Sequence, residues 1–470
     1  MQPFTTIAVC GAGAMGAGIA QVAAGAGCNV LVYDVAEGPL ERGRGVVEGG
    51  LAGLVKRGKL DAARAEEIAG RIRWTTEIAD LAPAGLVIEA IIEDAAIKGE
   101  LFARLEAVLP ADAVIATNTS SLSVTRLATG LKRPERFLGM HFFNPAPVMK
   151  LVEVVRGAVT DPAVEAAVAD LAASWGKAAV RVRDVPGFIV NRVARPFYAE
   201  GWRALDEGAA DAASIDHALK ACAGFRMGPL ELGDLIGHDV NFAVARSVYD
   251  AYFGRTRFVP QLAQGAMVAA ERLGRKTGRG VYDYAEGAPK AEPHFLDSVL
   301  SVEPEADGAP ADGIVEIEGV LIGRSDGRMA CTVAAALNRP VALHDWARPE
   351  ADTMVFALSA PDAASAAAAY ARRHGRKAMV IADRPGMLVL RTLAQLANAA
   401  GDALRDRVAD AGGIDSAMVN GANYPFGPLA WARQFGPDVL IQVLANIAEE
   451  TGEDMYRPGE ALRRMAVEQG

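Results

Sequence analysis

The residues of this chain best equipped for chemistry lie between Gly139 and Val155, in GMHFFNPAPVMKLVEVV. His141 precedes the turn-forming pair Asn144-Pro145, and Glu153 returns on an apolar, strand-like run. An imidazole that meets a carboxylate has its tautomer fixed and its basicity raised, which suits a general base working near neutral pH. Taken singly, the two also read as a core histidine and a surface glutamate. Two further groups could hold a reacting oxygen. Ser120 lies in Asn118-Thr119-Ser120-Ser121, directly after the apolar run Val114–Thr117, and Asn191 follows Pro186-Gly187-Phe188-Ile189-Val190. Ser120 is equally placed to cap a following helix, and Asn191 to face solvent from one.

Positioning such groups takes a scaffold, and the first part of the chain supplies its signals. Thr6–Cys10 reads as a short buried strand. It runs into Gly11-Ala12-Gly13-Ala14-Met15-Gly16, a helical pattern at Ile19, Val22 and Ala23, and a second strand over Asn29–Tyr33 that ends at Asp34. Glycines at this spacing allow a tight turn and close approach of backbone to a pyrophosphate at a helix N-terminus. Asp34 is placed to accept hydrogen bonds from ribose hydroxyls and to repel a 2′-phosphate, so NAD is expected rather than NADP. Leu86–Ile92 reads as one continuous apolar strand ending at Glu93, with Lys98 five residues on. Polar groups at the C-terminal ends of parallel strands are where such sheets bind ligands. Ala36–Gly70 reads as two helices with Lys56, Arg57 and Lys59 at their bend, either a solvated face or an anion site.

Composition narrows the classes. The chain has 470 residues, 51% of them hydrophobic, with 49 glycines and 24 prolines, enough for several compact α/β units. A net charge of −10 disfavours nucleic acid and acidic membrane surfaces. No charged residue occurs from Phe4 to Tyr33, but six glycines there poorly suit a membrane helix, so the chain reads as soluble. Cys10, Cys28, Cys222 and Cys331 have no paired spacing, which points to reduced thiols and a cytoplasmic setting. No His/Cys/Asp cluster has metal-ligand spacing, so no metal is expected.

The sequence then repeats itself. Asp184-Val-Pro-Gly-Phe-Ile-Val-Asn-Arg pairs with Asp383-Arg-Pro-Gly-Met-Leu-Val-Leu-Arg, Ile215-Asp216 with Ile414-Asp415, and Gly228-Pro229-Leu230 with Gly427-Pro428-Leu429, each 199 positions apart. Pro162 and Pro361, and Gly176 and Gly375, keep the same offset. A constant offset over so long a span means duplication. The copy lacks the glycine fingerprint and has Leu390 where the first has Asn191.

HFFNP, NTSSL, PGFIVNR, Met227-Gly228-Pro229-Leu230, Asp234-Leu235-Ile236-Gly237 and Lys276-Thr277-Gly278 with Gly280-Val281-Tyr282 together resemble the 3-hydroxyacyl-CoA dehydrogenase family, over essentially residues 1–284 and again over 360–470. The resemblance implies an α/β Rossmann NAD-binding domain plus an all-α helical domain, with a second, duplicated helical domain at the C-terminus. The expected divisions are 1–186 for the NAD-binding domain, with a CoA-binding hairpin at about 36–70, and 187–284 for the helical domain. A linker over 285–313, a shrunken α/β remnant over 314–381 and the duplicated helical domain over 382–470 follow. The resemblance also implies His141, Glu153, Ser120 and Asn191 as the catalytic set. Gly11, Gly13, Gly16, Asp34, Glu93, Lys98, Asn144 and Lys276 would contact the cofactor, and Lys56 and Arg57 the CoA phosphates.

Oxidation of (S)-3-hydroxyacyl-CoA to 3-oxoacyl-CoA with NAD is the implied activity, in fatty acid metabolism or aromatic-ring catabolism. The fused, single-activity layout resembles dehydrogenases of the phenylacetate route that handle 3-hydroxyadipyl-CoA, alongside the short-chain substrate 3-hydroxybutyryl-CoA. Arg226 is the candidate partner for a distal carboxylate. A sugar-acid 3-dehydrogenase on the same fold, or a non-catalytic NAD-binding structural protein, are the alternatives. Single-copy members are expected to dimerise through their helical domains, so the duplicate is expected to pack on the first as an intrachain pseudo-dimer. Further association of whole chains stays open.

Overall fold

A computed structural model of the chain describes residues 4–296 and 313–469. Most of the expected linker, residues 297–312, lies outside the described residues. The chain divides into two compact units, residues 1–190 with 407–422, and residues 191–406 with 423–470.

The first unit is built on an eight-stranded sheet. Its strands are β1 (Thr6–Cys10), β2 (Asn29–Tyr33), β3 (Ile72–Thr75), β4 (Leu86–Glu89), β5 (Val114–Thr117), β6 (Phe137–Phe142), β7 (Leu151–Arg156) and β8 (Ala178–Arg183), in the order 3-2-1-4-5-6-7-8. All neighbours pair in parallel except β6 and β7. Parallel strands need crossover connections, which are α1 (Ala14–Gly25), the hairpin α2 (Glu37–Lys56) and α3 (Ala62–Gly70), α4 (Ala95–Val108) and α5 (Val124–Ala128), with α6 (Pro162–Ser174) between β7 and β8. The inner strands are almost wholly buried because both faces are covered, whereas the edge strands β3 and β8 expose Arg73, Arg181 and Arg183.

β4 stops at Glu89 rather than continuing to Ile92. The expected continuous apolar run overlooked that Glu89 is a fully buried carboxylate. It holds Lys98 Nζ at 2.6 Å, the Thr117 hydroxyl at 2.6 Å and the Ile91 amide at 2.7 Å. That turn of backbone back onto its own side chain ends the ladder.

The second unit begins with α7 (Val190–Val193, entered from the first unit), α8 (Arg195–Asp206), α9 (Ala212–Ala223), α10 (Pro229–Ile236), α11 (His238–Ala251) and α12 (Leu262–Ala269). The motif acids here hold backbone. Asp216 accepts the amides of Leu230 and Glu231 at the start of α10 and the Tyr282 hydroxyl, and Asp234 accepts the amides of Val281 and Tyr282. A five-stranded sheet follows, β9 (Val315–Ile317), β10 (Val320–Arg324), β11 (Val341–His344), β12 (Thr353–Leu358) and β13 (Lys377–Ile381), with α13 (Ala330–Leu337) and α14 (Ala364–Arg373). Finally come α15 (Val389–Arg405), α16 (Ala411–Gly421), α17 (Pro428–Phe435), α18 (Pro437–Thr451) and α19 (Glu460–Gln469). α16 packs on β7 and β8 and belongs to the first unit.

The small sheet repeats the second half of the large one. β10, β11, β12 and β13 pair parallel, antiparallel and parallel, as β5 to β8 do. Asp184 accepts hydrogen bonds from the Ser123 hydroxyl and Thr125 amide, and Asp383 does the same for the amides of Ala330 and Cys331. Each anchors the start of the corresponding helix, which explains why this acid survives in both copies. No helix among the described residues is long and apolar enough to cross a membrane.

Candidate functional site

β1 hands the chain to α1 through the glycine turn. Gly11 has φ of +100°, and a Cβ there would lie 2.6 Å from the Ala90 carbonyl oxygen. A Cβ on Gly16 would lie 1.8 Å from the Gly11 carbonyl oxygen, so neither position admits a side chain. Gly13, the N-cap of α1, has open space where a Cβ would stand, and α1 has no acidic residue in its first turn. Its exposed N-terminal amides therefore suit a pyrophosphate. Asp34, at the end of β2, takes the Ala12 amide on Oδ2 at 2.9 Å, which aims the rest of the carboxylate outward. These residues fit a dinucleotide, and Asp34→Ala is expected to weaken NAD binding and narrow the preference over NADP by about tenfold or more, since the acceptor expected for the ribose hydroxyls and a phosphate-repelling charge would be lost together. Titrating both dinucleotides against wild type and variant checks this, and a wild type that prefers NADP would refute the role of Asp34.

Around the next strands, Glu93 accepts the hydroxyls of Thr119 and Ser121 and the amides of Ser120 and Ser121. Burial pushes the Glu93 carboxyl up, but these bonds and Lys98 outweigh it and hold it below the ordinary value. Lys98 is 1% exposed, with its ammonium between Glu89 at 2.6 Å and Glu93 at 3.2 Å. So Glu93 and Lys98 form one charged cluster that fixes the Thr119–Ser121 turn. The helix after that turn is capped by Ser123, whose Oγ accepts the Arg126 amide, not by Ser120. Among the readings left open, the cap is therefore excluded for Ser120.

The antiparallel register of β6 and β7 puts His141 opposite Glu153. His141 Nδ1 stands 2.7 Å from Glu153 Oε2, with both residues buried. A carboxylate only accepts, so Nδ1 carries the hydrogen and Nε2 offers a lone pair. The ring is packed against Phe143 and Phe188, at centroid distances of 4.5 and 5.7 Å. Glu153 Oε1 meanwhile accepts the amides of Ile189 and Val190. One carboxylate thus orients the histidine and ties down the backbone that leads directly into Asn191. The reading of His141 and Glu153 as unrelated core and surface residues does not hold. Asn144, after the strand, is exposed.

The other expected sites are placed singly. Lys56 and Arg57 are exposed at the α2–α3 bend. Lys276 is ion-paired with Asp239 at 2.5 Å. Arg226 is exposed on the turn before α10. Sequence reading missed Glu89, hidden in an apolar run, and the exposed apolar residues Val35 (76%) and Ile92 (63%) that follow β2 and β4. The signal for the latter pair was available, because an apolar residue just beyond a strand's C-terminal end is out of place unless something covers it.

The second sheet has no such dyad. Its register sets Asp345 and Val355 where His141 and Glu153 stand in the first. Asp345 accepts the amides of Leu388, Val389 and Leu390, and burial pushes its carboxyl up to about 6 against those bonds. His344, one residue earlier, faces the other way and stacks on Tyr370 at 5.7 Å; burial pulls it down to about 4, so it is neutral at pH 7.

Comparison with known proteins matches residues 6–185 to the model described as 3-hydroxyacyl-CoA dehydrogenase, NAD binding domain, and residues 187–284 and 386–470 to that of its C-terminal domain. The chain is 46% identical over 98% of its length to the 3-hydroxyadipyl-CoA dehydrogenase of Escherichia coli K12, covering 97% of that relative. It is 41% identical over 59% of its length to the 3-hydroxybutyryl-CoA dehydrogenase of Clostridioides difficile, covering 99% of that protein. A crystal structure of 3-hydroxybutyryl-CoA dehydrogenase from Escherichia coli K12 superposes with a TM-score of 0.94 at 46% identity, covering 99% of this chain and 98% of that one.

Proposed function

Given that the chain belongs to the 3-hydroxyacyl-CoA dehydrogenase family, we propose that its substrate is a short-chain or dicarboxylic (S)-3-hydroxyacyl-CoA, such as 3-hydroxyadipyl-CoA. It is an NAD-dependent oxidoreductase that converts the 3-hydroxyl of the thioester to a ketone. The observation that carries the mechanism is the His141–Glu153 pair with Nε2 left as acceptor. Bound NAD supplies the hydride acceptor for C3. His141 Nε2 takes the hydroxyl proton, and Glu153 stabilises the imidazolium that forms. Ser120 and Asn191 position the hydroxyl and hold the developing carbonyl oxygen. Gly11, Gly13, Gly16 and Asp34 would hold the dinucleotide, and the exposed Val35 and Ile92 after β2 and β4 would offer it apolar surface. Glu93 and Lys98 act by shaping the turn beside it, with Asn144 and Lys276 as further contacts. Lys56 and Arg57 are proposed to meet CoA phosphates.

The helical copies, 187–284 and 382–470, are proposed to pair about a pseudo-twofold axis, with 1–186 as the NAD-binding domain and 314–381 as the remnant of a second. Within the second unit α8 packs on α15, and the ion pairs across the copies are reciprocal. Arg192 pairs with Asp406, and their repeat counterparts Arg391 and Glu207 pair in turn, at 2.5 and 3.4 Å. A self-complementary interface has this property. A cytoplasmic setting is proposed from the scattered free cysteines.

Steady-state turnover tests the substrate. 3-Hydroxyadipyl-CoA and 3-hydroxybutyryl-CoA should both be oxidised with NAD, the former with kcat/KM higher by about tenfold or more, as expected where a charged group is specifically met. Free hydroxy acids should be turned over orders of magnitude more slowly. Preference for a free sugar acid over any thioester would favour the sugar-acid alternative, and no turnover of any of them would favour a structural role.

A further inference from the structure

We infer that Arg195, backed by Tyr424 from the duplicated helical copy, is the group that binds the distal carboxylate of a dicarboxylic substrate. This rests on the dicarboxylate reading above and names the residue that would confer it. Arg195 is 7% exposed, yet among the described residues no carboxylate pairs with it, and its Nε has no hydrogen-bond partner. A buried guanidinium without an anion is costly, and its burial pulls it below its ordinary value with only the Tyr198 and Tyr424 hydroxyls acting the other way. Of the other buried arginines of this unit, Arg192 and Arg384 pair with Asp406 and Glu207, and Arg376 donates to the carbonyls of Arg348 and Pro349. Arg391 is held by Glu200 at 2.8 Å.

The surroundings resemble a receptor for a short carbon chain ending in a charge. The Arg195 guanidinium lies over the Tyr198 ring at 5.0 Å. Phe197, Phe225 and Tyr424 form a connected aromatic cluster, with centroids 4.7 to 5.7 Å apart. Tyr424 is itself 6% exposed, and its hydroxyl is a second buried polar group without a partner. Two unsatisfied donors in one cluster are what a carboxylate would complete.

Arg195 follows Asn191 by four residues, across the junction where α7 ends at Val193 and α8 begins at Arg195, and Ala194 between them keeps right-handed helical dihedrals. If Asn191 holds the oxygen on C3, the distal carboxyl carbon of a six-carbon diacid is three carbon–carbon bonds further on. A partner for that carboxyl therefore has to stand near Asn191, as Arg195 does in the chain. Arg226, by contrast, is exposed, where a single ion pair contributes little. The copy has Ala394 at the position matching Arg195, so the feature is confined to the half with the catalytic set.

The test compares full-length wild type, Arg195→Met, Arg195→Lys and Arg226→Ala on two substrates that differ only at the far end, 3-hydroxyadipyl-CoA and 3-hydroxyhexanoyl-CoA. Arg195→Met should lower kcat/KM for the diacid roughly 100-fold or more, mainly through KM, while leaving the monoacid within about threefold. Arg195→Lys keeps the charge without the planar fork and should retain part of the preference. Equal loss on both substrates would make Arg195 a packing residue and overturn the assignment. So would an unchanged preference in either Arg195 variant, and the lysine variant decides if the methionine one does not fold. A selective loss in Arg226→Ala would move the site there and equally overturn it. If wild type oxidises the monoacid but shows no preference for the diacid, the dicarboxylate reading fails first, and this assignment with it.

Discussion

His141→Ala is expected to lower turnover by roughly 10³-fold or more while leaving NAD binding intact, because the proton acceptor is lost and the dinucleotide cradle is built from other elements. Glu153→Gln is the sharper companion. Gln can still accept the amides of Ile189 and Val190 through its carbonyl oxygen, replacing Glu153 Oε1. Its NH2 group, however, would then face His141 Nδ1, where a carboxylate oxygen stands at 2.7 Å. A donor there makes Nδ1 the acceptor and puts the hydrogen on Nε2, the wrong tautomer for a base. A fall of about 10²–10⁴ in kcat is expected with little change in KM, and the acid limb of the rate profile should move, because the charge that favours the imidazolium is gone. Stopped-flow NADH formation with single-turnover controls separates this from slower product release. Normal turnover in His141→Ala would end the mechanism.

The second large effect concerns the duplicate. A chain ending at residue 290 would lack α15, nearly all of whose residues are buried, and would strip the partners from buried charges. Glu200, fully buried, would lose both Arg391 at 2.8 Å and the Tyr456 hydroxyl. Arg192, 1% exposed, would lose Asp406. Breaking a buried pair by removing one side costs about 3–5 kcal/mol, comparable to a large part of a domain's stability. The truncated chain is therefore expected to dimerise or aggregate, which sedimentation would report. It would also lose α16, which packs so closely on β7 that a Cβ at Gly421 would meet Leu151 at 2.3 Å. Because the second copy has Asp345, Val355 and Leu390 in place of the working residues, calorimetry on the full chain should find one NAD and one acyl-CoA per chain. Two NAD sites, or a stable and fully active truncated monomer, would refute the idea that the copy is an inert, built-in partner.

What the sequence determined by itself is whatever local stereochemistry dictates. The strands Thr6–Cys10, Asn29–Tyr33 and Val114–Thr117 have the bounds their apolar runs imply. The glycine turn was legible because only glycine tolerates the contacts at positions 11 and 16. The helical hairpin and the 199-residue repeat were legible because periodicity and identity survive in one dimension. Tertiary structure decided the rest, and in each case the reason is a partner distant in the chain. Glu89 looked like part of an apolar strand until Lys98 and Thr117 were seen to neutralise it. Ser120 was placed to cap the following helix, yet that role falls to Ser123, whose Oγ accepts the Arg126 amide. Upstream of Pro361 the repeat loses its constant offset, so strand pairing rather than spacing identified Asp345, not His344, as the counterpart of His141. Arg195 was unremarked because a missing partner leaves no mark in a sequence. An unpaired charge becomes visible only when every neighbour that burial brings to it can be named.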